Sequence, residues 1–213
     1  MPVYVLTSMF EEGFSDEITQ EFKEMITERK NFAFVASDFY HMQEKTDKYF
    51  KFFYSMFTAK GIKFENTYVV DGRMTKKEAK EAVEKADVIW LSGGDTQTEF
   101  AYFKEYGLDK VIKAHSGVII GMSAGTVNLA KTAIATTEES DFNYEVYDGL
   151  NCVDISVMPH YIPSDNHQEL LELSKKYVIY GLCDEGAVIV KNGQVNLYGD
   201  VYKISNGATR KVH

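Results

Sequence analysis

Short apolar runs alternate along most of the chain with longer amphipathic segments, and this alternation predicts an α/β fold. The runs have the length and the β-branched content of buried strands. They cover Val3–Thr7, Phe32–Ala36, Ile62–Val70, Asp87–Leu91 and Gly117–Met122. Strands that alternate with helices favour a parallel sheet with helices on both faces. In such a sheet, ligands bind beyond the carboxyl ends of the strands.

The segments between these strands carry the periodicity and the end signals of helices. Ser15 suits an N-cap, and Thr75 with Glu78 has the pattern of a capping box. An aromatic stripe over Thr46–Lys60 predicts a helix whose broad apolar face packs in the core. Further helices are predicted through Phe100 and Phe103 and over Leu108–Ala114.

The character of the sequence changes after Ala130. Residues Thr132–Asn151 are polar without a clean period, and we interpret them as a long functional loop or a short hairpin. The elements predicted beyond them are a strand over Val153–Met158, a helix opening at Ser164-Asp165, a strand over Val178–Leu182, a hairpin of Ala187–Lys191 and Gln194–Tyr198 about the turn Asn192-Gly193, and a final short strand over Val201–Ile204. We expect one domain over residues 1–213.

Composition and charge narrow the class of protein. A chain of 213 residues with 45% hydrophobic content can bury a substantial core and is not typical of disorder. The net charge of −9 argues against nucleic acid or an anionic membrane as a partner. Apolar runs stay well short of the roughly 20 residues that a membrane span needs, so a cytoplasmic location is expected. The sequence leaves the oligomeric state open, and a homo-oligomer is compatible with it.

A serine stands at the end of the fifth predicted strand, in the sequence Gly121-Met122-Ser123-Ala124-Gly125. At a sharp strand-to-helix turn, a serine is held out of the fold and the first amides of the helix lie near its hydroxyl. Two glycines around the serine would let strand and helix approach closely. The same pattern also occurs in ordinary glycine-rich turns, so the rest of the chain must supply partners for a nucleophile.

A serine nucleophile needs a base within hydrogen-bond reach, and the base needs an orienting acid. Among the five histidines, His160 is the candidate base, because it follows an apolar strand and so lies at the edge where the serine is expected. The alternative is a histidine that is merely satisfied beside Pro159. The acid stays open among four carboxylates, each of which could equally be a surface group: Glu185, Asp184, Glu138 and Glu139.

Acyl transfer also needs two donors for the oxyanion. One expected donor is the amide of Ala124, the residue that follows the serine in a nucleophile elbow. The other donor is expected from the turn at Gly93-Gly94, because glycine lets the backbone approach a substrate closely. A tight turn with Asp95 as an N-cap is the plainer interpretation of Gly93-Gly94, and both can hold together. This chemistry requires no metal or organic cofactor. The two cysteines are too few for a cysteine-based zinc site.

Four segments, in order along the chain, carry a family resemblance. They are Ile89–Thr96, Gly121–Ala130, Met158–Tyr161 and Gly181–Gly186. Together they resemble the S51 serine peptidases, the group that includes dipeptidase E and cyanophycinase. The resemblance implies a fold related to class I glutamine amidotransferases: a three-layer sandwich with a mostly parallel central sheet, plus a C-terminal β-hairpin.

The resemblance also implies roles for site residues. Ser123 would be the nucleophile, His160 the base and Glu185 the third member, while Gly94 and Ala124 would supply the oxyanion amides. An acidic residue after a Thr-Thr pair has also been given the third role in the family. Under that assignment, Glu138 and Glu139, which follow Thr136-Thr137, remain alternatives to Glu185 as the third member.

The function that these residues imply is a serine exopeptidase acting on short peptides. Dipeptidase E carries an arginine just before the Thr-Thr pair, which suits an acidic substrate side chain, whereas this chain has Ala135. A strict preference for aspartyl peptides is therefore not implied. One alternative is an esterase of another α/β class, since Glu138 or Asp148 would permit the triad order serine, acid, histidine. The other is a non-catalytic, amidotransferase-like binding protein.

Overall fold

A computed structural model describes residues 1–137, 140–165 and 167–213, without the side chains of residues 140–142. Strands and helices alternate as far as the serine turn, and strands predominate afterwards. The elements are β1 (Val3–Thr7), α1 (Asp16–Met25), β2 (Asn31–Val35), α2 (Gln43–Ala59), β3 (Asn66–Val70), α3 (Lys76–Glu84), β4 (Val88–Leu91), α4 (Thr96–Tyr106), α5 (Leu108–Ala114), β5 (Val118–Met122), α6 (Ala124–Leu129), β6 (Thr132–Thr137), β7 (Ser140–Asp148), β8 (Ser156–Met158), α7 (Gln168–Leu173), β9 (Ile179–Leu182), β10 (Ala187–Lys191), β11 (Gln194–Tyr198), β12 (Val201–Ser205) and β13 (Ala208–Lys211).

The central sheet has seven strands in the order β11-β10-β1-β5-β4-β2-β3. The five strands from β1 to β3 in this order are parallel, while β10 runs antiparallel to both of its neighbours. Every residue of β4 and β5 is buried, which explains their continuous apolar runs, because both faces of the sheet are covered. The predicted mostly parallel sheet is confirmed.

Two apolar cores lie on opposite faces of this sheet. One contains the aromatic face of α2, where Phe53 stacks on Trp90 with ring centroids 5.0 Å apart. The other contains the buried faces of α3, α4 and α5, including Ala79, Phe103 and Ile112. The aromatic stripe of α2 is thus core, as predicted.

The helix-start signals act as predicted. Ser15 Oγ accepts a hydrogen bond from the Ile18 amide at 3.2 Å. Thr75 and Glu78 form a reciprocal capping box at the start of α3. Asp95 accepts a hydrogen bond from the Thr98 amide at 2.7 Å, so the turn after β4 does supply an N-cap.

Two smaller sheets follow α6. The segment Thr132–Asn151 contains the antiparallel pair β6–β7, with a register shift between Thr136 and Thr137, so the hairpin interpretation holds. The second sheet has the order β13-β12-β9-β8. Within the described part of the chain, no helix has the length and apolar character of a membrane span.

Several predicted bounds were wrong. The third strand begins at Asn66 instead of Ile62, and the strand predicted over Val153–Met158 forms only from Ser156. The helix predicted at Ser164-Asp165 begins at Gln168. The last strand is β13 and not Val201–Ile204, because a second Asn-Gly turn at Asn206-Gly207 reverses the chain once more.

Candidate active site

Ser123 stands between β5 and α6 in a backbone conformation that few residues adopt. Its φ of 51° and ψ of −110° lie outside the usual regions for a residue with a side chain. Neighbouring backbone holds it there, since its amide donates to Thr7 O at 3.1 Å and its carbonyl accepts from the Val127 amide. A strained serine at a strand-to-helix turn is the geometry of a nucleophile elbow.

The glycines around the serine are required by close packing. A Cβ atom on Gly121 would come 2.7 Å from the carbonyl of Gly125, and one on Gly125 would come 2.5 Å from Leu91 O. Thr126 makes two further hydrogen bonds that the sequence did not predict. Its Oγ1 accepts from the Thr7 amide at 2.8 Å and donates to Gly121 O at 2.6 Å. These contacts fix the start of α6 against β1 and β5.

The imidazole of His160 lies between Ser123 and Asp184. Its Nε2 is 3.0 Å from Ser123 Oγ, and its Nδ1 is 2.8 Å from Asp184 Oδ1. A carboxylate only accepts hydrogen bonds, so we assign the proton to Nδ1, which leaves Nε2 free to accept from the serine hydroxyl. The side chains of His160 and Asp184 are about half exposed, at 49% and 45%.

Glu185, the third member implied by the family resemblance, has other partners. Its Oε1 accepts from the amides of Glu11 and Glu12, at 2.6 and 3.4 Å. Its own amide donates to Met9 O at 2.7 Å, so Glu185 anchors the segment that follows β1. The structure therefore brings Asp184, not Glu185, to the imidazole. The two rivals in the β6–β7 connection, Glu138 and Glu139, lie outside the described residues.

Left-handed backbone is concentrated at this site. Six non-glycine residues have positive φ among those described, and three are asparagines, the residue type that tolerates this region well. The other three are Ser123, His160 and Glu185, with φ of 51°, 54° and 67°. Such strain clusters at functional sites, where the surrounding structure enforces it.

The turn at Gly93-Gly94 packs against the serine. A Cβ on Gly93 would come 3.1 Å from Ser123 Cβ, and one on Gly94 would come 2.7 Å from Ser37 Cβ. Ser37 Oγ donates to Gly93 O at 2.8 Å. In a planar trans peptide this turns the Gly94 N–H away from Ser37. Neither the Gly94 amide nor the Ala124 amide donates a hydrogen bond to a described group, so both are free to bind an oxyanion.

Two cavities meet at Ser123, His160 and Gly94. The first, which we call the hairpin-side cavity, has a volume of 420 Å³ and is walled in part by Ala135, Thr136 and Tyr144 of the β6–β7 hairpin. The second, the α2-side cavity, has a volume of 340 Å³ and is walled in part by Lys45, Tyr49 and Phe53 of α2. The serine thus stands where a bound chain could extend to both sides.

A buried polar network connects the hairpin to the serine helix. Glu99 of α4 is fully buried, and its Oε2 accepts from Asn128 Nδ2 at 2.8 Å. Tyr147 of β7 donates to Asn128 Oδ1 at 2.8 Å. Burial raises the pKa of Glu99 well above its ordinary value, because the ionised carboxylate would lose its solvation, and this outweighs the hydrogen bond from Asn128. The amphipathic pattern of α4 did not single out Glu99.

Known proteins resemble this chain in sequence. The family model described as peptidase family S51 matches residues 5–198. An uncharacterized peptidase of Listeria monocytogenes is 31% identical over 126 residues, which are 52% of this chain and 60% of that protein. Peptidase E of Haemophilus influenzae is 27% identical over 138 residues, 58% of this chain and 63% of that protein. The matches thus span about three fifths of the length of these relatives.

Solved structures share the fold. A peptidase from an acI-B1 actinobacterium superposes with a TM-score of 0.71 at 15% identity, covering 100% of this chain and 94% of the other. A protein described as a putative peptidase E from Listeria monocytogenes gives 0.68 at 22% identity, covering 93% and 98%. These structural similarities show the fold. The match to the family model, which spans nearly the whole chain, shows the family. The chain belongs to peptidase family S51.

Proposed function

We propose that this chain is a serine exopeptidase of the dipeptidase type, which hydrolyses short peptides through an acyl-enzyme on Ser123. The observation that carries the proposal is the hydrogen-bonded series Ser123 Oγ, His160 and Asp184, with distances of 3.0 and 2.8 Å. The same elements in the same order make up a serine triad. Membership of a peptidase family and the name peptidase E among relatives support a peptide as the substrate.

The proposed mechanism follows from this geometry. His160 Nε2 removes the proton as Ser123 Oγ attacks the peptide carbonyl, and Asp184 stabilises the imidazolium that forms. The amides of Gly94 and Ala124 bind the oxyanion of the tetrahedral intermediate. His160 then protonates the leaving amine, which leaves an ester on Ser123. Water, deprotonated by the same imidazole, attacks this ester and releases the acid and the free serine.

A lysine in the α2-side cavity supports an exopeptidase. Among the described residues that line this cavity, the charged side chains are Lys45, Glu11 and Asp184, and Lys45 Nζ lies 5.4 Å from the centre of the Tyr49 ring. A peptide with a free C-terminus carries its carboxylate close to the scissile bond. Of the charged side chains in this cavity, Lys45 is the one that would attract such a group.

A fluorophosphonate probe followed by substrate panels tests the proposal. Wild-type protein should be labelled and Ser123→Ala should not, since labelling requires an activated serine. Dipeptides should then be cleaved. Cleavage of simple esters without cleavage of any dipeptide would favour an esterase, and a folded wild type without labelling would favour a binding protein. The location in the cytoplasm and the state of assembly stay predictions.

A further inference from the structure

The hairpin-side cavity has a mostly apolar wall. Its buried lining side chains include Ile134, Ala135, Met158 and Tyr161, which are between 1% and 6% exposed. Ligand pockets of this kind hold apolar groups and use a few polar groups for orientation. Here the polar groups at one end are Ser123 and His160 themselves.

The charges around the hairpin-side cavity disfavour the binding of an acidic substrate side chain. Among its described lining residues there is no lysine or arginine, and the carboxylate of Asp165 is present. His167 Nε2 lies 2.6 Å from Ile162 O and its Nδ1 is buried, so neither ring nitrogen is placed to donate to a bound carboxylate. A carboxylate in this cavity would therefore lose solvation and gain no fixed cation.

We propose that the hairpin-side cavity binds a neutral, apolar or aromatic side chain of the peptide, and that it discriminates against Asp and Glu. This rests on the proposed function, because the cavity is defined by its contact with Ser123 and His160. Ala135 is the residue that sets the preference. Its small neutral side chain leaves the volume open and places no cation in the wall.

A dipeptide panel with Asp, Lys, Leu or Phe at either position tests this. We expect kcat/KM for Leu or Phe to exceed that for Asp by at least about tenfold at one of the two positions. Ala135→Arg should raise Asp turnover at that same position, since a guanidinium pairs well with a carboxylate. Ala135→Met is the matched control, because it adds similar length without charge and should give no such gain.

Asp165→Asn provides a second route should Ala135→Arg fail to fold. Asp165 is exposed, and removal of its charge should raise the ratio of kcat/KM for Asp peptides to kcat/KM for Leu peptides severalfold. A wild-type preference for Asp, or an equal gain in Ala135→Met, would overturn the specificity proposal. Absence of fluorophosphonate labelling would instead overturn the proposed function, so the two failures are distinguishable.

An independent observation concerns Ser8, which follows β1 and is fully buried. Its Oγ accepts from the His160 amide at 2.7 Å and donates to Asp184 Oδ1 at 2.7 Å. The same oxygen lies 3.5 Å from His160 Nδ1. One hydroxyl thus contacts both the strained backbone of His160 and the carboxylate that orients its ring. We infer that Ser8 is a positioning residue for the Ser123–His160–Asp184 series.

The rate of fluorophosphonate labelling of Ser123 against pH tests the role of Ser8 without a peptide substrate. Ser8→Ala should slow labelling by at least about tenfold. It should also move the acidic limb to higher pH, because Asp184 loses a donor and then stabilises the imidazolium more strongly. Ser8→Thr, which keeps the hydroxyl, should recover much of the rate.

A matched buried serine separates positioning from stability. Ser156 is 4% exposed and donates to Thr132 O at 2.7 Å, so its hydroxyl hydrogen bond is to neither His160 nor Asp184. Ser156→Ala should lower the free energy of unfolding and leave the labelling rate and its pH profile unchanged. Equal rates and profiles for wild type and Ser8→Ala would overturn the role of Ser8 alone, whereas an unlabelled wild type would overturn the proposed function as well.

Discussion

Asp184 Oδ1 lies 2.8 Å from His160 Nδ1, while the adjacent Glu185 accepts hydrogen bonds from the amides of Glu11 and Glu12. Consecutive carboxylates therefore have separate tasks at the end of β9. One orients the proposed base, and the other holds the chain that follows β1.

This separation predicts opposite effects for two variants that each remove one charge. Asp184→Asn should lower kcat on the order of 10³- to 10⁴-fold, because the amide no longer favours the productive tautomer of His160. Glu185→Gln should keep most of the activity and lower the free energy of unfolding by about 1 kcal/mol. Steady-state kinetics and urea unfolding measure both. If Glu185→Gln were the inactive variant, the assignment of Asp184 would be wrong.

The packing of Gly94 against Ser37 predicts that a substitution at Ser37 restores activity lost in Gly94→Ala. Gly94→Ala places a methyl group 2.7 Å from Ser37 Cβ, so the turn must shift and its free amide moves with it. We expect kcat to fall about 10²-fold, as for loss of one oxyanion donor. Adding Ser37→Gly removes the obstruction and should restore part of kcat. Ser37→Gly alone is the control, and a double variant no better than Gly94→Ala would contradict this explanation.

Lys45 predicts a dependence on the free C-terminus of the substrate. Lys45→Gln should raise KM for a dipeptide about twofold to fivefold, as expected for an exposed ion pair, and should change kcat little. The C-terminal amide of the same dipeptide should show no such change. Lys48→Gln, on the same helix but outside the α2-side cavity, is the matched control. Equal effects on acid and amide would remove Lys45 from substrate binding.

Burial of Glu99 predicts a pH dependence of stability. Its pKa in the folded protein is raised above the ordinary 4.5, so the folded state keeps the proton over a range in which the unfolded state has lost it. The contribution of Glu99 to the free energy of unfolding is therefore greatest below about pH 4.5. It falls as the pH rises, by at most about 1.4 kcal/mol per pH unit.

Glu99→Gln removes this titration. The free energy of unfolding of wild type relative to Glu99→Gln should therefore become less favourable between pH 4 and pH 8, as urea unfolding at several pH values will measure. Gln keeps an oxygen for the hydrogen bond from Asn128 Nδ2 and adds no charge. A difference that does not vary with pH would mean that Glu99 is ionised in the folded protein.

Sequence periodicity predicts the order of strands and helices well, because the central strands β4 and β5 are buried on both faces and so have continuous apolar runs. The serine turn, the glycine turn one strand earlier and His160 follow from their positions at strand ends. Asp184 and Glu185 could not be told apart in this way. Their difference depends on the positive φ of Glu185, a backbone reversal that a pattern of apolar and polar residues does not encode.

Other residues were missed for related reasons. Ser8 and Thr126 act through backbone atoms more than 100 positions away in sequence. All four residues of β13 are exposed, so that strand lacks an apolar alternation, although Asn206-Gly207 has the same turn signal as Asn192-Gly193. Both turns have positive φ at both residues, and the second could have been predicted from the first.

The left-handed backbone at Ser123 and His160 has an evolutionary consequence. A glycine at either position would adopt the same φ without steric strain, at some cost from greater freedom of the unfolded chain. Relaxed selection for catalysis would thus leave little thermodynamic penalty for losing either side chain. A descendant that has kept the fold and lost the proposed hydrolysis should carry small or glycine residues at these positions, with the glycines of the elbow and the core around β5 still in place.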